Sequence, residues 1–378
     1  MSNTPIYKGK LQSDLDFAGF NAVNFPGVGG GASGGIPVTD ITAAPYNAAG
    51  DGVTDDTTAL QSAINDLTAL GGGRIYFPPG TYLIGGALQD TSGRNAQILL
   101  PIVSQTSPPV TIELIGALAP PTQYYYTETI PATAYSIIKS TLTGGTGTAA
   151  FIAGRESGSD LWDNVQLTVR DLVFEAPPNP SFTVFNCFDT MGPQIQNVTI
   201  HAGSLNLSTI TQPTHSNAVA IKMAPSSHAA GQEVRNVNVF GFYTGLQDGE
   251  LARNDINMWG CVQGVLVPFN YHLSSYTHLG LFHCTYGIKA AGVGYSGTPG
   301  DDGTHYLRVF ACALEHSNSA GGYGQAWQDR VYDVDDASNL LKGDLKWLSI
   351  LAGTPTPGGD HAFIKNGGTG LLTSEVGT

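Results

Sequence analysis

Between residues 170 and 310 the chain repeats one alternating pattern of apolar and polar positions. The segments RDLVFE (170–175), QNVTIH (196–201), RNVNVF (235–240), NDINMW (254–259), THLGLF (277–282) and YLRVF (306–310) each set two apolar residues two positions apart: Leu172/Phe174, Val198/Ile200, Val237/Val239, Ile256/Met258, Leu279/Leu281 and Leu307/Val309. Successive side chains of a strand point to opposite faces, so each pair projects to one side. A unit that recurs every few tens of residues and cannot bury its apolar face alone must stack on its neighbours. The pattern therefore predicts an all-β solenoid with the apolar pairs turned inward.

The residue before each inward pair is Asp171, Asn197, Asn236, Asp255, His278 or Tyr306, a stacked position where a polar side chain can satisfy the backbone of a bend. Downstream, FGFYTGL (240–246), WGCVQGV (259–265), FHCTYGI (282–288) and FACALEH (310–316) predict Phe242, Cys261, Cys284 and Cys312 in one inward column and Gly245, Gly264 and Gly287 in another, with Glu315 in the glycine's place on the last rung. The cysteines read as small buried hydrophobes with free thiols, although adjacent rungs also bring thiols close enough to bridge. An outward column reads Glu175, His201, Phe240, Trp259, Phe282 and Phe310; so many aligned aromatics require a partner surface, with subunit contact ahead of cover by the chain's own loops and a platform for sugar rings.

A different period precedes the repeat. From Gly50 to Ile84 the chain reads GDGVTDDTTALQSAINDLTALGGGRIYFPPGTYLI. Leu60, Ala63, Ile64, Leu67 and Leu70 recur at steps of three and four, the spacing of one helix face. Asp51, Asp55 and Asp56 stand where capping groups belong, and Gly71 to Gly73 end the helix. Two short strands follow, Arg74 to Phe77 and Thr81 to Ile84, separated by Pro78-Pro79-Gly80.

This order of GDGVTDD, amphipathic helix, GGG, strand, FPPGTY and strand resembles the opening of the pectate-lyase-like right-handed parallel β-helix proteins, in the form found in phage tailspikes and tail-associated depolymerases. The resemblance covers about 35 residues and implies a right-handed single-stranded parallel β-helix whose N-terminal α-helix caps the open end. LQSDLDFAGFNAVNF (11–25) resembles the short segment that phage tail fibres and spikes carry ahead of a shaft. The expected organisation is a virion-attachment segment (1–25), a glycine-rich linker (26–37), the capping helix with the first strands (38–84), the β-helix with loop insertions (85–328) and a C-terminal cap and trimer-contact segment (329–378). Residues 75–350 would form about ten to twelve rungs, roughly 50 Å at about 4.8 Å per rung.

Composition narrows the partners. Charged residues make up 12% and glycines number 49, a mixture suited to strands and turns rather than to charge-rich helices or disorder. A net charge of -14 argues against a basic surface for nucleic acid or anionic membranes. No apolar run approaches the length that spans a bilayer, and no export signal is legible at the N-terminus. The cysteines lack metal-ligand spacing; no metal or cofactor is expected.

The resemblance implies a homotrimeric tailspike on the virion, attached to tail or portal-adaptor proteins through residues 1–25, that binds host capsule or lipopolysaccharide and cleaves it. A non-enzymatic receptor-binding fibre on the same scaffold is the alternative. Cleavage of a glycosidic bond needs an acid of raised pKa and a second carboxylate roughly 5–9.5 Å away. The outer-face candidates are Asp248 and Glu250 in LQDGE, Asp302 in PGDDGTH and Glu315 beside His316. Trp259 and Trp327 are candidates for stacking on sugars and Arg253 and Arg308 for binding them.

Overall fold

A computed structural model describes residues 36–290 apart from 91–92, 105, 121–129, 143–147, 154–163, 188–189, 191, 206–212, 224–230, 250–251, 268–272 and 283, and beyond 290 the backbone of seven strand segments. The expected attachment segment lies outside the described residues, as does nearly all of the linker. The chain opens with β1 (Val38–Asp40), β2 (Asp51–Asp55) and α1 (Thr57–Ala69). It then winds through β3 (Gly72–Phe77), β4 (Gly80–Ile84), β5 (Leu88–Gln89), β6 (Asn95–Leu99), β7 (Val110–Gly116), β8 (Ser136–Ser140), β9 (Thr148–Ala153), β10 (Val165–Arg170), β11 (Val173–Ala176) and β12 (Thr183–Cys187). In the next rungs the first two strands fuse, giving β13 (Gln194–Ala202), β14 (Val219–Met223), β15 (Glu233–Phe240), β16 (Thr244–Gln247), β17 (Ala252–Trp259), β18 (Gln263–Val267), β19 (Leu273–Phe282) and β20 (Tyr286–Ala290). The last are β21 (Tyr306–Val309), β22 (Cys312–His316), β23 (Arg330–Val334), β24 (Lys342–Leu345), β25 (Leu348–Ala352), β26 (Ile364–Asn366) and β27 (Leu372–Ser374).

These strands form a 17-stranded and a 10-stranded sheet in which strands pair, parallel, with their counterparts one rung later, apart from the short β5, which pairs antiparallel with β6. The fold is a parallel β-helix. Phe174, Val239, Met258 and Leu281 fill its lumen, as the alternation predicts, together with Phe151, Phe185, Ile221, Leu246 and Val265 of the other sheet. Pairing continues through β23, β25 and β27, so strand stacking does not stop at residue 328.

Helix α1 buries Leu60, Ala63, Ile64 and Leu67 against β3, β6 and β7. The three aspartates do hold backbone N–H groups, each at its own place. Asp51 accepts from Val53 and Thr54, Asp55 from Thr57 and Gly85, and Asp56, at the helix start, reaches back to Ala49 and Gly50.

At the bend between the two strand segments of the larger sheet, Asp171, Asn197 and Asn236 adopt left-handed backbone, with φ of 58°, 53° and 51°. Asn197 Nδ2 donates to Asp171 Oδ1 and Asn236 Nδ2 to Asn197 Oδ1, both at 3.0 Å. The ladder stops at β17 because that strand is one residue short: Val234 pairs with Asn254 and Val237 with Ile256, leaving Asp255 opposite two residues. Polar stacking resumes on the outer surface, where Asn257 Nδ2 donates to Asn238 Oδ1 (3.1 Å) and His278 Nε2 to Asn257 Oδ1 (3.0 Å). Replacing Asn197 with alanine keeps a β-carbon in left-handed backbone without the short amide that favours it there and removes two side-chain hydrogen bonds, an expected loss of about 2–3 kcal/mol. Asn197→Gly should lose less, since it loses the same hydrogen bonds but removes the β-carbon from left-handed backbone; denaturant midpoints of the pair check the order.

Two expected columns differ from the structure. Thr285 N donates to Cys261 O, and the cysteines of the two rungs stack with buried free thiols, but Cys312 pairs with Leu279 and Glu315 with Phe282. YLRVF pairs instead with the first half of β19, Tyr306 opposite Leu273 and Val309 opposite Tyr276. Each rung contains two consecutive segments of the same period, so alternation fits either. Glu315 therefore stands in register with Phe282 and Trp259 rather than with the glycines. In that glycine column, a β-carbon on Gly245 would lie 2.3 Å from Met258 Sδ and one on Gly264 2.5 Å from Leu281 Cδ2, so both positions face the crowded lumen.

Candidate functional site

In the ten-stranded sheet the paired inward residues at each rung leave the residues on either side of them pointing out. One outward column reads Leu99, Ile152, Asn186, Lys222, Gln247, Leu266 and Lys289, and continues in register through Asp333 and Lys365. The parallel column reads Ala96, Ala149, Thr183, Val219, Thr244, Gln263 and Tyr286. Below β12 this face is an apolar cluster of Ala96, Ala149, Ile152 and Leu99; from β12 upward amides, hydroxyls and lysines dominate.

The amides and hydroxyls of Thr183, Asn186, Thr244, Gln247 and Gln263 are nonetheless buried. Asn186 and Gln247 are each 5% exposed, and Asn186 Oδ1 and Gln247 Nε2 have no hydrogen-bond partner. Thr244 Oγ1 donates to Gln263 Oε1 at 3.2 Å. With rungs about 4.8 Å apart, the columns offer evenly spaced donors and acceptors to a chain of hydroxylated rings lying along the solenoid axis.

Asp248 follows Gln247 at the end of β16 but turns to the lumen side, where it is 0% exposed. Tyr276 donates its hydroxyl to Oδ2 at 2.7 Å, Gly249 N donates to Oδ1 at 2.9 Å and Asn254 Nδ2 to Oδ1 at 3.3 Å. Burial pushes the Asp248 carboxyl above the usual carboxylate range, against these hydrogen bonds. Burial and the neighbouring Asp248 hold the Tyr276 phenol well above its ordinary value. Ser274 Oγ donates to Gly249 O at 2.9 Å. The cluster is a polar island that pins the turn after β16; as folded, Asp248 meets no ligand on the outer surface.

The other candidates are spread over different faces. Arg253 is exposed on β17, in an outward column of the larger sheet that runs Arg74, Glu113, Thr168, Gln194, Glu233, Arg253, Ser275, Arg308 and Asp344. This column brings Arg253 and Arg308 within two rungs of each other. Lower in it Glu113 bridges Arg74 (2.5 Å) and Arg170 (2.6 Å). Trp259 shares a third face with Glu315, which is two rungs on. The Trp259 ring stacks between Phe240 (5.8 Å) and Phe282 (3.9 Å) and is 6% exposed. Ile130, Ala132, Tyr135 and Leu205 pack with the aromatics of this column, so the chain's own loops cover it, the second of the three expected covers, in place of the subunit contact expected first. Glu250, Asp302 and Trp327 lie outside the described residues. Among the described residues no group of three His, Cys, Asp or Glu could hold a metal ion.

Sequence reasoning missed the columns of the ten-stranded sheet. Their residues recur once per rung with intervals that vary with loop length, and the only local signal was the polar residue flanking each inward pair.

A family model described as rhamnogalacturonase A/epimerase, pectate lyase-like, matches residues 41–288. Among curated proteins the chain is 43% identical over 54 residues to mannuronan C5-epimerase AlgE5 of Azotobacter vinelandii, a match covering 14% of this chain and 5% of that protein. It is 45% identical over 51 residues to the SPbeta prophage-derived uncharacterized protein YomE of Bacillus subtilis, covering 14% and 8%. The chain thus spans less than a tenth of either relative's length. Among solved structures, a tailspike protein double mutant of E. coli bacteriophage HK620 in complex with pentasaccharide is 11% identical with a TM-score of 0.51, covering 90% of this chain and 64% of that one; this likeness is one of fold.

Proposed function

The chain belongs to the rhamnogalacturonase A/epimerase, pectate lyase-like family, and from that premise we propose that it is a phage tailspike which binds a host-surface polysaccharide along the outer face of its ten-stranded sheet and cleaves it. The observation that carries this reading is the row of amides, hydroxyls and lysines that the strand register aligns at rung spacing on that face. The tailspike assignment draws on the tail-fibre-like segment at 11–25 and on the fold shared with a phage tailspike. In this reading the spike is a homotrimer on the virion, joined to the tail through residues 1–25.

For cleavage we assign Glu250 and Asp302, which belong to the connections that follow β16 and β20, two strands of the polar face. Asp248 holds the turn that precedes Glu250, Arg253 is exposed on the larger sheet, and the strands of Arg308 and Glu315 pair with β19 of that sheet.

The test incubates the full chain with purified capsular polysaccharides and lipopolysaccharides, following binding, new reducing ends and unsaturated-uronate absorbance. Expected are binding by one polymer, at least ten-fold weaker binding in Asn186→Leu/Gln247→Leu, and loss of products with binding retained in Glu250→Gln or Asp302→Asn. Binding by wild type without products would favour the non-enzymatic receptor-binding fibre. No binding to any polymer sinks the proposal.

A further inference from the structure

We propose that Lys139, Glu175 and His201 form an acid-sensitive anchor on the outer face of the larger sheet, and that protonation of His201 releases the turn that lays Leu205 against the aromatic column, exposing Phe240 and Trp259 to solvent.

The three residues stand on consecutive rungs. Strand register sets Lys139 of β8 opposite Glu175 of β11 and Glu175 opposite His201 of β13; His201 then stands opposite Phe240, and Phe240 opposite Trp259. Lys139 Nζ lies 2.7 Å from Glu175 Oε1. His201 is 5% exposed, and its Nδ1 lies 2.8 Å from Gly203 O. A carbonyl oxygen only accepts, so Nδ1 carries the proton and Nε2 is the nitrogen that titrates. This bond ties down the turn after β13, where Gly203 takes a φ of 69° and donates its N–H to Ala176 O. Two residues further, Leu205 is buried in one cluster with Phe240 and Trp259. The imidazole thus sits at the root of the cover.

Protonation puts a charge where little is present to hold it. Among the described residues the charged groups that face His201 are Glu175 from β11 and Lys139 from β8; Phe240 of β15 and the residues of the turn itself, Ala202 to Leu205, carry none. Glu175 already holds Lys139, so an imidazolium gains little from it, and a buried charge without a committed partner is strongly disfavoured. Hydration of that charge requires the ring to turn out to water, which breaks its bond to Gly203 O and frees the turn. Burial holds the His201 pKa below the ordinary imidazole range, with Lys139 adding to the effect and Glu175 and the Gly203 carbonyl opposing it. The stability this contributes is complete above the unfolded value, about 6.5, and is lost as pH falls from there toward the folded value.

The experiment takes the full chain from about pH 7.5 to about pH 5. It reads the His201 imidazole by NMR, assigned through His201→Asn, and the accessibility of Trp259 by acrylamide quenching, taken as the difference between wild type and Trp259→Phe. Expected is a several-fold rise in quenching as pH falls, with a midpoint that coincides with the His201 titration below about 6.5. His201→Asn should show no rise, since its amide keeps a donor for Gly203 O and takes up no proton. Glu175→Gln should move both midpoints about one pH unit lower, and Lys139→Met should move the His201 midpoint higher by less; a general loosening in acid follows neither charge. Quenching that rises equally in His201→Asn, or that stays level while His201 titrates, overturns the anchor. If His201→Asn does not fold, wild type and Glu175→Gln decide: a quenching midpoint that stays in place while the His201 midpoint shifts overturns it equally.

Discussion

Truncating Phe185 to alanine is expected to destabilise the folded chain by about 3–5 kcal/mol, the range for removing a buried aromatic ring from a packed core. Phe185 is completely buried in the lumen. Its ring lies 4.6 Å from that of Phe174 and 5.3 Å from that of Phe151, and those two meet each other at 5.6 Å. The three rings come from strands of two walls, β11 on one and the paired β9 and β12 on the other, so one truncation opens a void that neither wall can close without breaking register. A β-helix lumen relaxes little, because each rung is hydrogen-bonded above and below. The control is Leu70→Ala at the end of α1, where the side chain is 68% exposed and a change within about 0.5 kcal/mol is expected. Denaturant unfolding of both variants measures the contrast, and a Phe185→Ala loss no larger than that of Leu70→Ala would show that the cluster is not part of the cooperative core.

The reasons why Phe174, Val239 and Leu281 were legible as lumen residues also explain why Cys312 was not placed correctly. A period of two reports which side of a strand is buried and says nothing about which strand of the rung the segment belongs to. Where a bend carries a chemical marker, as at Asp171, Asn197 and Asn236, the register is pinned; the short chain that crosses β17 and the run from Tyr306 to His316 carry none. The capping helix was legible for the opposite reason, since its spacing, its aspartates and its glycines all give the same answer locally.

The candidate site was less readable because its geometry is made by stacking. Asn186, Lys222, Gln247 and Lys289 are neighbours only once the rungs are superposed, and loop lengths that differ from rung to rung scatter them along the chain. Carboxylates such as Asp248 and Glu315 drew notice from their local surroundings, yet their facing is decided by one residue of register. Trp259 shows the same limit: its alternation correctly points out of the lumen, but the residues that cover it, Ile130, Tyr135 and Leu205, come from connections remote in sequence.

Replacing Asp248 gives the second large effect, and its sign depends on what replaces it. Asp248→Ala leaves the Tyr276 hydroxyl, the Gly249 N–H and the Asn254 amide facing a site with no acceptor; at about 1 kcal/mol or more for each, the expected loss is roughly 3 kcal/mol. Asp248→Asn keeps an acceptor and removes the buried charge. Burial raises the Asp248 carboxyl pKa in the folded chain, so the fold binds the proton more tightly than the unfolded chain does. The stability this contributes is complete below the unfolded value, about 3.9, and is lost as pH rises through the folded value. Wild type should therefore lose ground to Asp248→Asn as pH increases from about 4 to 8, while Asp248→Ala stays below both throughout. Unfolding free energies of the three proteins across that range separate the contributions. A wild-type-minus-Asn difference that is flat with pH would mean that Asp248 titrates alike folded and unfolded, which a carboxylate sealed behind Tyr276 and Asn254 cannot do.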